Sequence, residues 1–153
     1  MVKDGNNAAG SALSNNYPYD PALCPVPSTY CTAKTTSIGT LPTVSFTGSN
    51  SLGLSTLAIE CREAMPNKSG IFFYSNSGPA ANPFQGGFLC MNPPILRSPG
   101  FVFDMFGYIS LPLPFTIFDV GNTRQYQFWL RDPQHPDGTK IGLSNGGQVT
   151  FCF

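Results

Sequence analysis

The sequence predicts an all-β fold, an antiparallel β-sandwich of the jelly-roll kind with an extended N-terminal arm. Three observations carry that expectation. Apolar residues alternate with a period of two over many short runs. Glycine and proline, 16 and 15 of the 153 residues, fall between those runs as turn punctuation instead of gathering in one tract. Helical periodicity is nearly absent; only residues 58–65 could be argued as a helix, and Pro66 would end it. The length suits one domain that buries about two thirds of its unfolded surface, and thirteen phenylalanines supply its core.

Taken in order, residues 1–28 are rich in Asn, Ala, Ser and Pro without apolar periodicity, and read as an arm or linker before a sandwich domain at 29–153. Within the arm, Tyr17, Pro18, Tyr19 and Pro21 could lay rings on a neighbouring surface. Residues 43–47 alternate and stop at Gly48. Leu57, Ile59 and Cys61 face one way, Ala58, Glu60 and Arg62 the other. Residues 71–74 are apolar on both sides, as a central strand requires, and end in a turn at 75–78. Residues 88–91 follow Gly86 and Gly87 and are cut off by Pro93 and Pro94; 95–97 reads as a short edge. Residues 101–106 and 115–118 are apolar enough to be strands, 124–132 forms a long one, and 141–143 and 148–153 close the chain.

The strand at 124–132 holds the sole tryptophan. Alternation places Tyr126, Phe128 and Leu130 on one face, suited to a core, and Gln125, Gln127, Trp129 and Arg131 on the other. A flat ring flanked by amides and a guanidinium suits a sugar or a partner protein, with Tyr74, Tyr108 or Tyr126 as further rings. The alternative is that Trp129 packs in a second layer.

Charged residues make up 10% of the chain, well below the usual quarter, and eight cations balance eight anions. There is no basic stripe, which argues against nucleic acid and anionic membranes, and weak repulsion makes self-association cheap. No run is long and apolar enough to insert in a membrane, and the polar N-terminus lacks a secretory h-region. Cys24, Cys31, Cys61, Cys90 and Cys152 contain no CxxC pair, so disulfides in an oxidising compartment fit better than zinc. Five is odd, leaving one thiol free or paired between chains. Cys24 and Cys31 could close a local loop, and two of Cys61, Cys90 and Cys152 could bridge sheets.

No catalytic or metal-binding residue and no cofactor is expected. His135 is the lone histidine, in a turn-rich loop; Glu60 reads as a solvated charge; Asp104 could pair with Arg97 or Arg131. Asp132 and Asp137 could offer oxygens to calcium, but a type I turn stabilised by their side chains is the preferred account.

Four blocks in order carry a resemblance: Tyr30-Cys31-Thr32-Ala33-Lys34, residues 67–74 (NKSGIFFY), residues 83–90 (PFQGGFLC) and Phe128-Trp129-Leu130-Arg131-Asp132-Pro133. Across residues 30–153 the chain resembles a C-terminal domain of large secreted or surface proteins of planctomycete- and myxobacteria-like bacteria. The resemblance implies an extracellular, non-catalytic role and no established activity. The family commonly places a Gly-Cys pair where this chain reads Gly39-Thr40, so Cys31 needs another partner, and Cys24 is the candidate. Two functions follow as expectations: a binding or adhesion module for polysaccharide or surface glycan, or a subunit that assembles with copies of itself through its arm.

Overall fold

The computed structural model describes residues 24–153, and among these there is no helix. Eleven strands follow: β1 (Ser28–Tyr30), β2 (Thr43–Thr47), β3 (Ala58–Arg62), β4 (Ser69–Ser75), β5 (Pro79–Phe84), β6 (Gly87–Met91), β7 (Leu96–Arg97), β8 (Phe101–Val102), β9 (Ile109–Pro112), β10 (Thr123–Arg131) and β11 (Ile141–Thr150). The strands pair antiparallel throughout. They build a large sheet in the order β1-β11-β10-β4-β7 with β8 also on β4, a sheet β2-β3-β9, and a hairpin β5-β6. The predicted class, all-β and antiparallel, is the class observed. The expected arm lies outside the described residues up to position 23; of its last residues, Cys24 is bonded to Cys152, and Ser28 already belongs to β1.

The core sits between the two sheets. Tyr126, Phe128 and Leu130 of β10 face it, as alternation demands, together with Phe72 of β4 and Val149 of β11. Val44, Ile59 and Cys61 meet them from the small sheet. Phe128 is fully buried, with the rings of Phe72 and Phe101 at 5.8 and 5.7 Å in edge-on geometry.

A bulge stitches the layers. Between Gln127 and Trp129 the β11 partner advances from Gly146 to Leu143, three residues against two. The displaced Ser144 hydroxyl accepts the Phe128 N–H at 2.8 Å, and Asn145 reaches out to accept the Val44 N–H of β2 at 2.8 Å. Next to it, a Cβ on Gly147 would stand 2.6 Å from the Phe46 ring, so only glycine lets β2 approach this closely.

The β5-β6 hairpin forms a third layer over the opposite face of the large sheet. The Phe84 ring packs edge-on to Phe73 at 6.2 Å, and Cys90 is bonded to Cys31. Tyr30, its phenol pushed up to about 12 by burial, donates to the Cys90 carbonyl. The disulfides are therefore Cys24–Cys152 and Cys31–Cys90, and the local Cys24–Cys31 loop does not form. Cys61 is the free cysteine, buried, with burial pushing its thiol up.

Several elements differ from expectation. Strand β8 stops at Val102 because Asp104 turns the chain: its carboxylate accepts the N–H groups of Phe106 and Tyr108, both at 2.9 Å. It pairs with neither Arg97 nor Arg131. Residues 115–118 form no strand but lead into a turn at 117–121, with Asp119 accepting the Thr116 N–H at 2.9 Å. The two terminal strands are one, since the glycines at 146 and 147 belong to a bulged strand and not to a loop. Strand β5 was hidden by Pro79 and Pro83, whereas 58–62 is the strand that its alternation predicts.

Candidate functional site: the outer face around Trp129

Strand β10 presents Gln125, Gln127, Trp129 and Arg131 on the face away from the core. The first two never reach solvent, because the hairpin lies over them. Gln127 is fully buried: its Oε1 accepts the Cys90 N–H at 3.0 Å, and its Nε2 donates to the Phe88 and Ser144 carbonyls, both at 2.8 Å. Gln125 accepts the Gly78 N–H at 3.0 Å and donates to Gln148 at 3.0 Å. Both amides were expected to face a ligand; the structure commits them to holding the third layer in place. Sequence alternation cannot separate a solvated face from one covered by a distant hairpin.

Beyond the hairpin the face opens. Trp129 is half-buried, and its indole N–H donates to the Gln85 side chain at 2.9 Å. Gln85 lies in the β5-β6 turn at φ 46°, a left-handed conformation uncommon for a side-chain-bearing residue. Arg131 is exposed and lays its guanidinium 5.6 Å from the Trp129 ring centroid, a cation–π arrangement. An aromatic platform and a fork of N–H donors thus stand side by side, fixed at one edge by the hairpin turn.

Tyr74 does not join them. It lies on the core side of β4, stacked on Tyr126 at 6.2 Å with Arg124 5.7 Å from its ring, at the mouth of a separate cleft of about 310 Å³. Tyr126 is buried and its phenol is pushed up to about 12 by that burial. Tyr108 stands elsewhere, donating to Glu60 at 3.0 Å beneath the Arg62 guanidinium.

Several titratable groups of the described residues hold loops. Glu60 is buried, not solvated, with Arg62 at 3.1 Å as well as Tyr108. Asp132 is fully buried and accepts both the Ser37 N–H, at 2.7 Å, and the Ser37 hydroxyl. Lys34, which the sequence did not single out, is buried against Asp137 at 2.7 Å and donates to Thr139 and to the carbonyls of Gln85 and Ile141. Hydrogen bonds from Lys34 and then from the Thr139 N–H hold the Asp137 carboxyl well below the usual range. His135 sets Nε2 at 2.9 Å from the Thr35 carbonyl and Nδ1 at 2.9 Å from Asp137, so both ring nitrogens are committed to the loop. Among the described residues no three acidic, histidine or cysteine side chains gather as a metal would require, and no helix is long and apolar enough to cross a membrane. Comparison with family models, curated proteins and solved structures finds no match.

Proposed function

We propose that this chain is an extracellular, non-catalytic binding and adhesion module that meets a polysaccharide or surface glycan at Trp129 and Arg131. The observation that carries the reading is the fixed platform: a half-exposed indole, anchored through its own N–H to Gln85, beside an exposed guanidinium. Apolar sugar faces stack on such rings while hydroxyls take the donors. Two disulfides linking distant parts of the chain fit an oxidising environment outside the cell. The commitment of Lys34, Asp132, His135 and Asp137 to loop contacts supports a role without reacting groups.

A glycan array tests this. The wild-type protein is expected to bind a subset of glycans, and Trp129→Ala is expected to lose that binding while its circular dichroism remains that of a β protein. An unchanged array profile for Trp129→Ala would place the site elsewhere.

A second reading, a structural subunit that assembles with its own copies, is favoured by a different observation. Two turns expose large apolar side chains: Met105 and Phe106 on one, Ile117 and Phe118 on the other, with Phe118 87% exposed. The arm expected to exchange strands lies outside the described residues. Light scattering separates the readings: particles that shrink to monomers on Phe106→Ser with Phe118→Ser favour assembly, and a monomer at all concentrations favours the binding module.

A further inference from the structure

The geometry points to an acidic glycan: we infer that carboxylate or sulfate groups of a polysaccharide seat in the groove beside Arg131. This inference rests on the glycan reading above and names the ligand class. Past the end of β10 lies a groove of about 400 Å³, walled in part by Lys68, Arg131 and Lys140 with Asn67 and Ser69. No carboxylate lines it. Arg131 belongs both to this groove and to the Trp129 platform, so the two surfaces are continuous.

The placement of charge is selective. Seven Lys and Arg residues are described, and three of them, Lys34, Arg62 and Arg124, hold ion pairs. Of the other four, three line this one groove, while Arg97 lies over the Phe73 ring. A chain with no net charge thus leaves its described, unneutralised cations mostly at one place, where they repel one another unless an anion arrives. The backbone fixes two of the walls in a costly conformation. Asn67 and Lys140 both sit in the left-handed region, at φ 60° and 64°. Each is held there by a main-chain bond: the Asn67 N–H donates to the Asp104 carbonyl at 3.1 Å, and the Lys140 carbonyl accepts the Asp132 N–H at 2.9 Å.

The exposure of these cations selects a polymer over a small ion. Lys68, Arg131 and Lys140 are solvated, and single ion pairs at such sites contribute little. A free phosphate or acetate would be held weakly. A chain that repeats its acid groups meets several cations at once and adds the stacking of a sugar ring on Trp129, so its contacts act together.

Trp129, the sole tryptophan, reports on the site. Its emission is followed while dextran, dextran sulfate, alginate and a single-stranded DNA oligomer are added at low and high salt, to the wild type and to Lys68→Gln/Lys140→Gln. Expected is a response to alginate or dextran sulfate, the stronger of the two assigning carboxylate or sulfate. Dextran should bind about tenfold more weakly, salt should weaken the acidic glycans, and the double variant should lose about tenfold in affinity for them. Equal responses to dextran and its sulfate, unchanged in the double variant, overturn the acidic inference and leave the glycan reading standing. Silence with every glycan overturns both. Tighter binding of the DNA oligomer than of either acidic glycan overturns the inference in favour of a general polyanion surface.

Discussion

Gln127 shows how a polar side chain can be structural and still look like a binding residue. Its amide satisfies one buried N–H and one carbonyl of β6 and one carbonyl of β11. Gln127→Leu keeps the approximate size, yet leaves those groups unpaired at about 1–3 kcal/mol each, so a loss of roughly 3 kcal/mol or more is expected in urea denaturation. A variant as stable as the wild type would show that water replaces the amide. Asp137 allows a pH prediction. Its folded pKa is depressed, so the stability it adds is present above the unfolded carboxylate value of about 4 and is lost only as pH falls through the lower, folded value. An NMR titration of the Asp137 carboxyl carbon should therefore show no inflection around pH 4, and Lys34 should remain its partner through that range. An inflection there would mean the pair is open in solution. From sequence, the alternation of β10 identified which side chains leave the core; it could not reveal that Gln125 and Gln127 are roofed while Trp129 and Arg131 are not, because the roof comes from residues about forty positions away.

Among the elements, those with clean alternation or an apolar run between turn residues were legible: β2, β3, β4, β6 and β10 stand where the pattern puts them. The failures share a cause. At 101–106 and 115–118 the apolar content is high, but Asp104 and Asp119 cap turns through their carboxylates, and local hydrogen bonding overrides hydrophobicity. Gly107 completes the first turn at φ 70°, where a Cβ would lie 2.3 Å from the Ala64 carbonyl oxygen. Gly107→Ala is therefore expected to destabilise by about 2–3 kcal/mol in thermal melts, through both conformation and clash; a neutral result would contradict the turn geometry. The hairpin was half seen, since prolines disguised β5, yet it governs the site. Replacing Cys31 and Cys90 by serine releases the clamp on β6, with an expected loss of about 2–4 kcal/mol and a red shift of Trp129 emission as the Gln85 contact loosens. Stability lost without any spectral change would uncouple the hairpin from the platform.

At the scale of the molecule, two sheets share one aromatic core, a hairpin forms a third layer, and one disulfide joins Cys24 to Cys152 near the two ends of the described residues. Two turns stand with large apolar side chains in solvent, and three of the four described cations outside ion pairs line the groove past the end of β10. The sequence pattern read both turns as strands, and the clustering of cations depends on which strands become neighbours, which no single-strand pattern encodes. The proposed glycan contact lies at the open end of the outer face. Its most direct test is a proton–nitrogen correlation spectrum recorded while alginate oligosaccharide is added. The sole indole cross-peak, the Arg131 side chain and the amides around Lys68 and Lys140 should move together and saturate. Shifts confined to the Tyr74–Arg124 cleft or to the turns at Phe106 and Phe118, or a spectrum that does not change, would contradict it.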